Sequence, residues 1–100
     1  MARLDVHPMP GKGEGYVVDV QAELLVHLST RVVVPLLPEE KTPQPISELN
    51  PVFEIKGKRY VMVTQALSAV SGKELKRPVM SLDSRHDCIT RALDLLLVGF

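Results

Sequence analysis

Residues 52–63, "VFEIKGKRYVMV", constrain the fold of this chain more than any other stretch. Two β-rich apolar runs flank "KGK", and Gly57 supplies the backbone freedom that a tight turn demands, so the segment predicts an antiparallel hairpin. With the two-residue period of a strand, Tyr60, Met62 and Thr64 share one face, and Arg59, Val61 and Val63 the other. Residues 30–37, "TRVVVPLL", predict another strand, because three consecutive valines are stiff at χ1 and suit a pleated surface. Pro35 inside that run has no N–H for a ladder, so the strand is expected at a sheet edge or bent there. Shorter strands are expected at "ARLDV" (2–6), at Tyr16–Val20 and at "ALSAV" (66–70). Between them, "HPMPGKGEG" (7–15) and "SGKELKRP" (71–78) read as loops. Residues 38–51, with four prolines and no apolar period, read as a long connection holding a helical turn at Ile46–Leu49.

One hundred residues suit one domain, 1–100, and the 45% hydrophobic content can fill a core. Aromatic residues are only 4% and Trp is absent, so that core must be aliphatic. Twelve basic residues balance twelve acidic ones, which removes the overall charge signature of a nucleic-acid or anionic-membrane binder. A lone cysteine, Cys88, cannot form an internal disulfide, and no run approaches a membrane span or a signal peptide. The expectation is a soluble cytoplasmic protein.

One segment carries a helical period. At about 100° per residue, Ile89, Ala92, Leu93 and Leu96 form one stripe with Cys88 at its margin, and Asp87, Thr90, Arg91 and Asp94 form a wet face. Ser84 is placed to cap this helix, with Asp87 completing a capping-box pattern. The chain then ends on "LDLLLVGF", where Leu97 falls at the stripe's border and Val98 on the polar side. Gly99 releases the helix and directs Phe100 outward. Either the last turn folds back, or these apolar groups stand exposed to meet a partner.

Catalytic signatures are missing. His7, His27 and His86 lack metal-ligand spacing, and "GKGEG" lacks the Lys-Ser/Thr ending of a phosphate-binding loop. Arg31, Thr64, Gln65 and His27 are the one polar set worth weighing, since a ribonuclease could use an Arg and a His on phosphate oxygens; they read more simply as strand-end polar groups. No catalytic residue, metal or cofactor is expected.

Four segments, "YVVDVQAELL", "TRVVVPL", "LNPVFEIKGKRYVMVTQALSAV" and "SRHDCITRALDLLLVGF", resemble in order and spacing the CcdB family, the toxins of bacterial toxin–antitoxin modules. The resemblance implies a mainly β fold: an SH3-like barrel of about five antiparallel strands, a small wing sheet and a C-terminal α-helix. It implies a homodimer that binds the DNA gyrase A subunit and traps the gyrase–DNA cleavage complex without catalysis. It also implies a CcdA-like antitoxin that covers the same surface and joins the toxin in repressing their operon, operator DNA being reached only through that complex. Carried over by position, the gyrase-binding residues are Leu24, Leu25, Asp94, Leu97, Val98, Gly99 and Phe100. Val98 stands where the family has Trp, and Phe100 where it has Ile. The other readings are a barrel toxin that cleaves RNA, as the related MazF and Kid-like toxins do, and a family member without toxicity that serves as an antitoxin-binding regulator.

Overall fold

The valine run becomes the axis of the sheet. Strand β3 (Thr30–Pro38) pairs along one side with β2 (Tyr16–Asp19). Its other side is shared by β5 (Lys58–Met62), paired with Leu36–Pro38, and β6 (Ser68–Ser71), paired with residues 30–33. Strand β4 (Val52–Ile55) joins β5, β1 (Asp5–Pro8) joins β2, and β7 (Met80–Ser81) joins β1. The computed structural model describes residues 2–99. Within them the seven strands form one antiparallel sheet, ordered β4-β5-β3-β2-β1-β7 with β6 on β3 and curled into a half-barrel, followed by the helix α1 (His86–Leu97). This is the mainly β fold with a terminal helix that the family resemblance implies, with the sheet curled into a half-barrel.

Pro35 does not mark an edge, because β3 is central. It sits where the neighbour changes from β5 to β6, and its carbonyl accepts Val63 N–H at 2.9 Å. No ladder bond is required of its nitrogen at that junction, which is how a central strand tolerates proline. The hairpin forms as predicted: Lys56 (φ 53°) and Gly57 (φ 81°) make a two-residue turn of the I′ kind, whose twist matches its strands. Other boundaries differ. Strand β1 starts at Asp5 and runs through His7 and Pro8, because Leu4 takes φ 71° and turns the chain before it. The helical turn expected at Ile46–Leu49 is a single turn, closed by Asn50 N–H on Ile46 O at 2.8 Å. Between the loop at 71–78 and the helix lies the unforeseen β7, which exists because β1 leaves an edge for it to pair with.

Val6, Val18, Val34, Leu36, Tyr60 and Met62 face one side and pack with Phe53, Ile55 and Leu82. Helix α1 covers them with Ile89, Ala92 and Leu93. Alternation sends His7, Val17, Asp19, Arg31, Val33 and Val61 to the opposite face, yet they are buried too. The chain from β6 to β7 has to cross β2 and β1, and His7 Nδ1–H donates to Lys76 O at 2.6 Å, so this crossing covers the second face.

Ser84 does not cap α1. A 3₁₀ turn, Asp83–Arg85, comes first, and Arg85 stands at the helix start without a side-chain capping bond. Ahead of that turn, Ser81 Oγ accepts Asp83 N–H at 3.1 Å. Asp87 keeps its place in the first turn, where negative charge suits the exposed N–H groups.

Candidate functional site

The end of α1 outruns the core beneath it. Burial falls along the helix from Leu93, buried, through Leu95 and Leu96, half-buried, to Leu97 and Val98, which are 68% and 62% exposed. Leu96, placed in the core stripe by its period, is therefore only partly covered, because its turn overhangs the sheet. The last turn does not unwind: Val98 N–H and Gly99 N–H both donate to Asp94 O, at 2.8 and 3.0 Å. Gly99 then takes φ 93°, a conformation that a side chain would resist, and ends the helix. Asp94 is exposed on the wet face predicted for it. Phe100 lies outside the described residues.

Leu24 and Leu25 occupy a 3₁₀ turn, Glu23–Leu25, between β2 and β3. Leu24 is 84% exposed, and Leu25, Val26 and Leu28 are exposed beside it. Among the described residues, no hydrogen bond or ion pair joins this loop to α1 within the protomer. The six described candidate residues thus come from two separate segments and are all exposed.

The loop rests on Asp19 and Gln21, which the sequence did not mark as site residues, and on Arg31, which it marked only as a strand-end polar group. Arg31 Nε donates to Asp19 Oδ2 at 2.8 Å and its Nη2 lies 2.7 Å from the same oxygen, with both side chains at 0% exposure. Asp19 Oδ1 accepts the backbone N–H of Gln21 at 3.0 Å. Gln21 then spans the loop's base: its Oε1 accepts Val32 N–H at 3.1 Å, and its Nε2 donates to Leu25 O at 2.9 Å. A signal existed. Asp19 is one charge inside the run "YVVDV", and Arg31 an opposite charge beside the facing valines.

The set Arg31, Thr64, Gln65 and His27 does not assemble into a site. Arg31 is sealed against Asp19, and His27 is exposed on the loop. Thr64 donates to Leu49 O, and Gln65 Oε1 accepts Asn50 Nδ2–H at 2.7 Å, so both serve to tether the long connection. Among the described residues, no three His, Cys, Asp or Glu side chains are grouped to hold a metal, and no helix is long and apolar enough to cross a membrane. A shallow depression on α1, lined by His86, Asp87, Thr90, Arg91 and Asp94, lies on the helix's wet face.

Sequence and structure comparisons bear on the family and the fold. The family described as CcdB protein matches residues 3–99. No curated protein sequence matches the chain. Among solved structures, an endoribonuclease in complex with its cognate antitoxin, from Mycobacterial species, is similar with a TM-score of 0.74 at 18% identity, over 97% of this chain and 94% of that one. The toxin MazF-mt6 of Mycobacterium tuberculosis is similar with a TM-score of 0.68 at 14% identity, over 92% of this chain and 94% of that one. At such identities the likeness is one of fold.

Proposed function

This chain belongs to the CcdB family, toxins of bacterial toxin–antitoxin modules, and we propose that it acts by binding the DNA gyrase A subunit and trapping the gyrase–DNA cleavage complex. The observation that carries this reading is the overhanging helix end, where Leu97 and Val98 stand in solvent although the core could have ended the helix sooner. Leu24 and Leu25 supply a second apolar patch, and Asp94, Gly99 and Phe100 complete the contact. Apolar area covered on association is worth roughly 25 cal/mol per Å² before the costs of binding, so these side chains are the affinity and no chemical step is needed of them. In a cytoplasmic homodimer of this single-domain chain, twofold symmetry duplicates both patches for a symmetric target. A CcdA-like antitoxin that covers the same patches neutralises the toxin, and the pair together represses its operon. The complexed endoribonuclease supports an antitoxin partner on this fold.

Deleting Gly99 and Phe100 tests the reading. Growth inhibition should vanish, while the circular dichroism spectrum and the sedimentation coefficient stay unchanged; a truncated chain that still arrests growth removes the tail from the mechanism.

A second reading, RNA cleavage, draws on the fold likeness to an endoribonuclease. Arg31, the cation it would use, is fully buried and paired with Asp19, which argues against it. Defined products from cellular RNA incubated with the purified chain would reinstate it. The replacement of the family Trp by Val98 supports a third reading, a regulator without toxicity. Normal growth of a gyrase-sensitive bacterium expressing the chain alone, while the purified chain still binds its antitoxin, is the outcome that reading expects.

A further inference from the structure

We infer that Asp19, Gln21 and Arg31 form a buried positioning unit that holds the apolar loop between β2 and β3 in its target-binding shape. The inference rests on the reading of Leu24 and Leu25 as contact residues and assigns the groups that set them. A fully buried ion pair seldom adds net stability over apolar side chains of similar volume, because desolvation offsets the attraction. Here the pair is also incompletely satisfied, since Arg31 Nη1 is buried without a hydrogen-bond partner. Such an arrangement is better explained by the geometry it imposes. Arg31 fixes the Asp19 carboxylate through Oδ2, leaving Oδ1 to hold Gln21 N–H at 3.0 Å.

Gln21 is then fixed at its backbone and at both ends of its amide. Its Nε2 reaches Leu25 O, which also accepts Leu28 N–H at 3.1 Å. One carbonyl therefore links the buried unit to the loop's own internal bonds, Leu25 N–H to Ala22 O and Val26 N–H to Glu23 O. No side chain of the 3₁₀ turn is buried, so packing cannot hold the loop in place. Outside contacts hold the loop near its two ends, where Glu23 Oε1 accepts Arg3 N–H at 2.6 Å and Ser29 O accepts Gly72 N–H at 2.9 Å. Without Gln21, the stretch between them, with the exposed side chains of Leu24, Leu25, Val26 and Leu28, would sample more shapes. Ordering that loop in advance lowers the entropy lost on binding.

The test is Gln21→Met, which keeps the length and removes both amide bonds. Amide hydrogen exchange should quicken at least tenfold at Leu25, Val26 and Leu28 and change less than twofold at Val18 and Val34 in the paired strands. Affinity for a gyrase A fragment should fall at least tenfold. Unchanged exchange in the loop overturns the inference, as does an equal acceleration in the strands, which would mark a general loss of stability. A loosened loop with undiminished affinity also overturns it. If the parent chain itself does not bind the fragment, the gyrase reading fails, and the exchange rates still decide whether the unit sets the loop. Should Gln21→Met not fold, Gln21→Asn keeps a buried amide too short to span both bonds and is judged by the same rates.

Discussion

At the residue scale, the decisive group is a buried charge. Arg31 is one of the largest fully buried side chains, and among the described residues Asp19 Oδ2 is the one carboxylate oxygen bonded to it. Replacing Asp19 with Ala leaves an uncompensated guanidinium in the interior, which typically costs about 3–5 kcal/mol. Against a net stability of about 5–15 kcal/mol for a domain of ordinary stability, that loss should move the urea midpoint far toward water. A midpoint shift worth less than about 1 kcal/mol would mean that the pair is not sealed as described. The sequence displays each charge among valines, but their pairing across twelve positions depends on strand register, which no local pattern states. For this reason Arg31 reads as a strand-end polar group until β2 and β3 are laid side by side.

At the element scale, the β4–β5 hairpin is held to its neighbours by exposed ion pairs. Arg59 grips Glu39 with two bonds, at 2.9 and 3.2 Å, and Lys58 lies 3.2 Å from Glu40 and 3.5 Å from Glu14, which also bonds Lys41. The hydrogen bond from Lys41 lowers the Glu14 carboxyl, that from Arg59 lowers Glu39, and Glu40 is lowered first by its own backbone amide and then by Lys58. Groups lowered on folding stabilise the fold above their ordinary value of 4.5, and that contribution disappears as pH falls through the lowered values. Lys58, raised from 10.5 by its bond to Glu40, and Tyr60, raised from 10.0 by burial, act in the opposite sense, so their contribution is lost as pH rises beyond those values. Thermal midpoints should therefore be flat between about pH 5 and 10 and decline on both sides, and added salt should shrink the acid decline because the pairs are exposed. An acid decline unaltered by salt and by Glu39→Gln would exclude these pairs as its source. The helix illustrates the other side of element-scale reading. Its wheel predicts which face is wet, but not where the sheet stops supporting it.

At the scale of the whole molecule, the protomer leaves two apolar patches uncovered, on the β2–β3 loop and on the helix end. If the chain is a homodimer, its thermal midpoint must rise with protein concentration, because association stabilises only the folded state. Sedimentation equilibrium should then give twice the 11.1 kDa chain mass. A midpoint independent of concentration, with the mass of one chain, would leave the twofold arrangement without support. The two observations are separate from the growth assay, so assembly and target can be judged independently.

Local events were legible in the residues alone: the hairpin turn at Lys56–Gly57, the valine strand, the polar face of α1 and the glycine that ends it. Each depends on neighbours within a few positions, where backbone freedom and side-chain period act directly. Features that depend on distant partners emerge only in the folded chain. Folding made β3 central in spite of Pro35, carried β1 past its predicted end, paired Asp19 with Arg31 and left Leu97 and Val98 beyond the core. Register and coverage are set by which strands meet, and the free energy that selects those meetings belongs to the closed sheet as a whole.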